Sequence, residues 1–300
     1  MAVAVRPFAI RDTSPVGDVL FVAARERAAH TGRPPAFDVP AAARRFVQRL
    51  LEVDPVGAHV AESEGEVVAV GWVHPRGRVA TLGPLAVLPG QRGHGVGTRV
   101  LNACLTSVGE RGVQVRVVED GGDAAMMGLL FHHGFRVATS VLELERAPDG
   151  GGPPLLAPGL AVRELGASDE ADLVARDTRL WGAARPQDVA ALLAHGRGAV
   201  LERRERAVAH AMARRGERAV TIGPAAGEDA AQVASLVGWL AAAYVETPLP
   251  ARVLLGAGDQ RLVEALLGQA FRVRAVLQYL VRGGGTAPPP GYVLASRMLA

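Results

Sequence analysis

The chain has 300 residues, 49% of them hydrophobic, which is enough for one large domain or two of ordinary size. The formal net charge is only +3, and every one of the 33 basic residues is an arginine. These arginines alternate with acidic residues and aromatic residues make up only 4%, so we expect no nucleic-acid partner. No apolar run is long enough for a membrane span, and the single cysteine, Cys104, excludes an internal disulfide or a cysteine-based metal cluster. We therefore expect a cytoplasmic protein, monomeric or homodimeric, without a metal or a membrane partner.

The elements of the first half alternate between strands and helices. An opening strand near Ala9 precedes a helix that Ser14 should cap, with Pro15 at its first position. A second helix (41–51) is followed by two alternating strands and by a third strand that contains Gly83 and Pro84. A loop then leads to a long helix whose apolar stripe is Val96, Val100, Leu101, Cys104 and Val108. The copy should close with a strand (114–118), a helix (123–132) and a last strand (139–145).

The second half repeats this pattern. The segment HVAESEGEVVAVGWVHPRGRVATLGPLA aligns without a gap with AVLERRERAVAHAMARRGERAVTIGPAA, 140 residues later. Further on, DAAMMGLLFHHGFRV aligns with DQRLVEALLGQAFRV at an offset of 136. Similar segments in the same order at nearly constant spacing indicate an internal duplication. The segment from Arg146, RAPDGGGPPLLAPG, has the composition of a linker.

The sequence thus predicts two domains, residues 1–147 and 160–300, joined by a linker at 148–159. Each copy mixes strands and helices and has a strand–loop–helix–strand crossover at its centre. We therefore predict the α/β class, with a mixed and partly parallel sheet flanked by helices in each domain.

One loop in the first copy has the composition of an anion site. It reads RGHGVG from Arg92 to Gly97, between an apolar strand and an amphipathic helix. The first amides of a helix lack internal acceptors, and glycines let the backbone approach a ligand closely. Arg92 adds a cation. The pattern favours binding of a phosphate or pyrophosphate. A Walker loop would need a lysine, and a dinucleotide fingerprint would follow the first strand of its domain, so neither fits well.

These elements resemble the GNAT superfamily of acyl-CoA-dependent N-acyltransferases. RGHGVG fits its Gln/Arg-x-x-Gly-x-Gly/Ala signature, LAVLP fits its fourth strand, and DAAMMGLLFHHGF resembles its closing element. The resemblance implies two tandem GNAT-like domains, with the cofactor loop in the first. It implies that acetyl-CoA or another acyl-CoA is the co-substrate, with its pyrophosphate on the loop and helix start at Arg92, Gly93, His94, Gly95, Val96, Gly97 and Thr98.

The resemblance also implies that the pantetheine arm pairs with the main chain of Leu85, Ala86 and Val87. The sequence supports this, because Pro84 cannot donate a ladder hydrogen bond and should make the strand bulge or splay. In the second copy the loop reads GEDAAQ. Glu228 and Asp229 would repel phosphates, so we expect that copy to bind no CoA.

The catalytic residues are less clear from the sequence. Family members often have a glutamate on the fourth strand and a tyrosine before the closing Gly-Phe, but VATLGPLAV has no acid and Leu130 stands at the tyrosine position. Glu119 at the end of the fifth strand, acting through a water, and His74, facing the acceptor, are the candidate bases. His132 and His133 favour a helix-capping role, and His94 should contribute its backbone.

We therefore predict an N-acetyltransferase that transfers an acyl group from acyl-CoA to a primary amine of a small molecule, with the oxyanion held by an amide near Val87. The alternatives are an acyl-CoA-binding sensor and a non-transferase acyl-CoA enzyme, such as a hydrolase or decarboxylase.

Overall fold

The protein is described by a computed structural model that covers residues 3–109, 112–244, 247–285 and 287–298. It divides into two compact units. The first comprises residues 1–117, 121–136 and 281–284, and the second comprises 118–120, 137–280 and 285–300. None of the helices in the described ranges has the length and apolar character needed to cross a membrane.

The first unit contains the elements of the first sequence copy up to its last helix. In chain order they are β1 Val3–Pro7, α1 Thr13–Thr31, α2 Pro40–Val53, β2 Ala58–Ser63, β3 Glu66–Arg76, β4 Val79–Val87, α3 Val96–Ser107, β5 Gln114–Glu119 and α4 Ala124–His132. The strands follow the order β1-β2-β3-β4-β5. All of these pairs are antiparallel except β4–β5, which is parallel. The predicted mixed α/β architecture with a locally parallel pair is confirmed.

Helices α1, α2 and α3 bury the apolar residues that the sequence periodicity selects. Trp72 of β3 is fully buried against α1 and α2, in a cluster that includes Val16 and Val47. Val100 and Cys104 on the predicted stripe of α3 are also fully buried. Burial of the cysteine raises the pKa of its thiol to about 12, so Cys104 behaves as a small apolar core residue.

The start of α1 differs from the prediction. The helix begins at Thr13, so Ser14 and Pro15 lie inside its first turn and Asp12 takes the N-cap position. The carboxylate of Asp12 bonds the guanidinium of Arg6 at 2.7 and 2.9 Å and the amide of Ala9 at 2.7 Å. Residues 10–12 form a 3-10 turn that runs directly into α1, which moves the helix start towards the N-terminus.

The second unit contains the elements of the second copy and one strand of the first. They are β6 Arg136–Arg146, β7 Leu160–Glu164, α5 Glu170–Trp181, α6 Pro186–His195, β8 Arg197–Arg203, β9 Arg206–Arg215, β10 Val220–Gly227, α7 Ala230–Ala243, β11 Ala251–Gly256, α8 Gln260–Leu267, β12 Arg272–Arg282 and β13 Tyr292–Leu294. The strand order is β12-β6-β11-β13-β10-β9-β8-β7. Strands β10 and β11 form a parallel pair.

The last strand of the first copy does not close the first unit as predicted. Strand β6 lies in the second unit and pairs antiparallel with β11 over six residue pairs, with Glu145 bonded to Arg252 at 2.6 Å. Because the last strands of the two copies are equivalent, their sequence pattern does not encode which copy supplies the neighbour. Residues 147–159, the predicted linker segment, form neither helix nor strand.

The strand registers confirm the duplication. Ala80 of β4 pairs with Val115 of β5, and Val220 of β10 pairs with Ala251 of β11, at offsets of 140 and 136 residues. These are the two offsets read from the sequence. A residue of one unit can therefore be compared with its counterpart in the other unit.

Candidate active site

Strand β4 carries a bulge at the predicted position. The β3–β4 register shifts between Gly71 and Val73, so that Gly83 and Pro84 both lie opposite the single residue Trp72. Proline has no amide hydrogen for the ladder, and an extra residue in one strand bends that strand. The sequence therefore places the bend at this point.

Beyond the bulge, β4 and β5 separate. Their parallel pairing runs from Val79 to Thr81 and extends no further in the described part of the chain, although both strands continue. Leu85, Ala86 and Val87 remain paired with β3 on one side. Their other edge faces the opening between β4 and β5. It provides main-chain donors and acceptors that an extended amide-containing ligand can use.

The glycine loop, residues 92–97, has room for a ligand against its backbone. Eight residues, 88–95, separate β4 from α3. Gly93 and Gly95 have φ angles of 78° and 75°, in the left-handed region that favours glycine. A Cβ added at either position would meet no described atom within 4 Å.

The start of α3 leaves its first amides without helical acceptors. Gly95 is the N-cap, and the first intrahelical bond closes from the Arg99 amide to the Gly95 carbonyl at 3.1 Å. The preceding amides of Val96, Gly97 and Thr98 have no acceptor one turn earlier within the helix. Together with the helix dipole they form a site for an anion.

The Arg92 side chain is held close to the loop by the protein itself. Its Nε donates to the carbonyl oxygen of Val87 at 3.1 Å, and its Nη1 pairs with the Glu26 carboxylate on α1. Because this side chain is 42% exposed, the ion pair is accessible to a competing anion. One of the main-chain acceptors predicted for pantetheine, the Val87 carbonyl, is thus already bonded to Arg92.

The corresponding loop of the second unit is short and internally capped. Only Glu228 and Asp229 separate β10 from α7. The Asp229 carboxylate accepts hydrogen bonds from the backbone and side-chain amides of Gln232, both at 2.8 Å. An acidic side chain therefore takes the place that an anionic ligand would take at a helix start.

The strand opening of the second unit is filled by the chain itself. Strand β13 pairs antiparallel with Ala225 and Ala226 of β10 and with Leu254 and Leu255 of β11. At the two offsets, the β10 pair corresponds to Leu85 and Ala86 of β4. A peptide backbone thus occupies, in the second unit, the positions that the sequence assigned to pantetheine in the first.

Buried polar contacts anchor β13. The Tyr292 hydroxyl donates to Oδ1 of Asp177 at 2.7 Å and accepts from Arg185 at 2.6 Å. Asp177, Arg185 and Tyr292 are each at most 2% exposed. Burial works to raise the pKa of Asp177, but hydrogen bonding by Arg185 outweighs it and the net shift is downward. The segment is therefore fixed in the second unit by an ionised, buried network.

His74 lies in a different environment from the predicted one. It is only 1% exposed. Its Nδ1 lies 2.6 Å from Oδ2 of Asp54 and its Nε2 lies 2.7 Å from the Gly83 carbonyl oxygen. Both ring nitrogens are thus engaged within the protein, and neither is free to take a proton from an amine in this conformation. Asp54 lies twenty residues earlier, and no local sequence signal connects the two residues.

Glu119 occupies the predicted place at the end of β5 and is half-buried. Its counterpart in the second unit is Leu255, so the carboxylate is specific to the first copy. Leu130, at the tyrosine position, is fully buried in α4.

The other histidines have local roles. Nδ1 of His133 donates to the Leu129 carbonyl at 2.7 Å at the end of α4, as expected for a capping residue. His94 and His132 are exposed. Among the described residues, no group of three His, Cys, Asp or Glu side chains is arranged to hold a metal ion.

Known proteins with this architecture are acetyltransferases. Residues 25–135 match the acetyltransferase (GNAT) family. A crystal structure of a Pyrococcus horikoshii protein is 16% identical, with 99% of this chain and 96% of that chain covered at a TM-score of 0.77. A GCN5-related N-acetyltransferase from Sphaerobacter thermophilus is 14% identical, with coverages of 95% and 98% and a TM-score of 0.70.

A tandem GNAT protein from the clavulanic acid biosynthesis pathway is also 14% identical, covers 95% of this chain and 100% of that chain, and has a TM-score of 0.68. No curated protein matches the sequence significantly. At these identities the structural matches establish the fold over nearly the whole length, and the family match covers the glycine loop. The chain therefore belongs, through residues 25–135, to the GNAT acetyltransferase family and has the fold of a tandem GNAT protein.

Proposed function

We propose that the first unit transfers an acyl group, in the first instance acetyl, from acyl-CoA to a primary amine of a small molecule. The second unit binds no CoA. The acceptor is a small molecule because the family match carries acyl transfer and the chain lacks the basic, aromatic composition of a nucleic-acid-binding protein.

The contrast between the two units is the observation that supports this proposal most strongly. In the first unit the start of α3 has unpartnered helical amides and open space at Gly95. In the second unit Asp229 caps the equivalent helix and β13 fills the equivalent strand opening. One unit keeps both features that acyl-CoA needs, and the other has replaced both with its own chain.

In this proposal the residues of the first unit bind and orient the co-substrate, which supplies the activated acyl group. The amides of residues 96–98 and the Arg92 guanidinium hold the pyrophosphate. The free edge of Leu85, Ala86 and Val87 holds the pantetheine arm, as the antiparallel pairing of β13 illustrates in the second unit. A main-chain amide near Val87 stabilises negative charge that develops on the acyl oxygen.

Glu119 is the proposed general base. It ends β5, the strand that separates from β4 after Thr81, and a carboxylate there can hold a water that removes the amine proton. Leu130 donates no proton, and a thiolate whose conjugate acid has a pKa of about 8.5 can take its proton from solvent. The reaction therefore needs no side-chain acid at that position.

An acyl-CoA sensor is the second candidate. It is favoured by the same departures from the family pattern, because Leu130 is apolar and His74 has no free ring nitrogen. A sensor would bind acyl-CoA as tightly as the enzyme but would turn it over slowly or not at all.

Turnover of acetyl-CoA with a panel of small primary amines tests the proposal and separates the candidates. Release of free CoA can be followed with a thiol reagent, because the buried Cys104 thiol, with its pKa raised to about 12, should not react. We expect saturable, amine-dependent release that Gly95→Asp abolishes. Tight binding without turnover would indicate the sensor, and absence of binding would contradict both candidates.

A further inference from the structure

A buried ionic cluster lies beside the bulge in β4. It consists of Asp54, His74 and Arg76, hereafter the His74 cluster, which are between 1% and 7% exposed. The Asp54 carboxylate accepts two bonds from the guanidinium of Arg76, at 2.7 and 2.8 Å, and faces Nδ1 of His74 at 2.6 Å. The fourth contact is the bond between Nε2 of His74 and the Gly83 carbonyl at 2.7 Å.

The hydrogen bonding of the His74 cluster has a defined direction. Burial works to raise the pKa of Asp54, but the bonds from His74 and Arg76 outweigh it and lower that pKa, so the carboxylate is ionised and can only accept. The Gly83 carbonyl also only accepts. Both ring nitrogens of His74 must therefore carry hydrogen for both contacts to be hydrogen bonds. The Trp72 ring stacks parallel to the imidazole, at 6.2 Å between centroids.

The Gly83 carbonyl belongs to the bulge that opens the active-site strand. Gly83 has a φ of 147° and shares the position opposite Trp72 with Pro84. Leu85 follows immediately and begins the free edge proposed for the pantetheine arm. A displacement of the Gly83 carbonyl would therefore shift the main chain on which the acyl group must be placed.

The second unit supports its equivalent bulge in another way. Gly223 has a φ of 150°, and the β9–β10 register shifts there as it does in the first unit. Arg214 stands at the position of His74, and Gly216 stands at the position of Arg76. The C-terminal segment packs against this bulge, because a Cβ on Gly223 would lie 2.1 Å from the Leu294 carbonyl oxygen. In the first unit a support of that kind would fill the opening that acyl-CoA needs.

We propose that His74 is a positioning residue, which holds the Gly83 carbonyl and thereby fixes the bulge and the free edge of β4 for acyl transfer. This inference rests on the proposed function for its catalytic part. It replaces the role of base with a role in which His74 acts through Gly83 and does not touch the substrate.

Two amide variants separate the two contacts of His74. Glutamine places an amide nitrogen near the position of Nε2 and can keep the bond to Gly83, whereas asparagine places it near Nδ1 and can keep only the contact with Asp54. We expect His74→Gln to stay within about threefold of the wild-type kcat. We expect His74→Asn to lose about tenfold or more in kcat, with the Kd for acetyl-CoA changed less than about threefold.

A spectroscopic readout accompanies the kinetics. Only Gly83, Gly152 and Gly223 precede a proline, so labelling glycine carbonyl carbon and proline nitrogen gives three resolvable carbonyl signals. The Gly83 signal should shift in His74→Asn and stay near its wild-type position in His74→Gln, while the Gly223 signal stays unchanged in both. Full kcat with an unshifted Gly83 signal in His74→Asn, or equal losses in both variants, would overturn the proposal.

The wild-type protein provides a test that no folding defect can affect. Nitrogen spectra of the histidine rings should show hydrogen on Nε2 of His74, and an Nε2 without hydrogen would overturn the proposal. If the wild type binds no acetyl-CoA, the proposed function fails, but the spectra still decide whether His74 holds Gly83.

Discussion

Substitution of Gly95 by aspartate tests the glycine loop with few side effects on folding. Gly95 has a φ of 75°, and a Cβ there would meet no described atom within 4 Å. Aspartate and asparagine tolerate this backbone region better than other residues do, at a cost of about 1 kcal/mol. The variant should therefore fold, and its carboxylate should lie beside the amides of Val96 and Gly97.

The expected loss of binding follows from the charge. Two unit charges of like sign about 5 Å apart repel by about 3 kcal/mol at an effective dielectric constant of 20. Since 1.4 kcal/mol is a factor of ten in affinity, Gly95→Asp should weaken acetyl-CoA binding by about two orders of magnitude. Gly95→Asn has nearly the same shape without the charge, and it should lose about tenfold or less.

A second control carries the same charge and backbone strain elsewhere. Gly77, in the turn before β4, has a φ of 61° and open space around a Cβ. The nine residues of β4, about 26 Å, lie between it and the glycine loop. Gly227 is unsuitable, because its Cβ would lie 2.8 Å from that of Ala209. Affinity should be measured by calorimetry, together with thermal unfolding of each variant.

The comparison can refute the reasoning in two ways. Gly77→Asp should bind acetyl-CoA as the wild type does. If Gly95→Asp also binds normally, or if Gly77→Asp loses as much, the pyrophosphate does not lie on the glycine loop. If Gly95→Asn and Gly95→Asp lose equally, the repulsion argument is wrong.

Three further predictions concern catalysis and the second unit. Glu119→Gln should lower kcat about 10²-fold with little change in the Kd for acetyl-CoA, and full activity would return Glu119 to a surface role. Tyr292→Phe removes a hydroxyl bonded to Asp177 and Arg185, so the free energy of unfolding should fall by about 1–3 kcal/mol in urea titrations, whereas no loss would mean that β13 is not anchored there. Burial and the Arg176 charge lower the pKa of His210 to about 4, so the unfolded chain binds a proton first as pH falls below about 6.5. Stability should then decrease by about 3 kcal/mol between pH 7 and 4, and His210→Gln should lack this component.

The sequence predicts those features that local patterns encode. The apolar stripe of α3, the bend at Pro84 and the two duplication offsets all have local signals, and each is confirmed in the structure. The loop GEDAAQ was also informative, because an acidic residue before a helix is a cap signal and Asp229 does cap α7.

Other features depend on contacts between residues that are distant in sequence. Strand β13 comes from the proline-rich C-terminal segment, which has no strand periodicity, and only the opening between β10 and β11 gives it partners. The burial of His74 depends on Asp54, in the turn after α2. The placement of β6 in the second unit depends on which of two equivalent strands supplies its neighbour.

The stoichiometry of acetyl-CoA binding tests the central claim most directly. The first unit has an open glycine loop and strand opening, whereas Asp229 and β13 fill the equivalent places in the second unit. Calorimetric titration of the full chain should therefore give a value near one, and Gly95→Asp should remove that single site. A value near two would contradict the claim that the second unit binds no CoA, and a value near zero would contradict the assignment of the first unit.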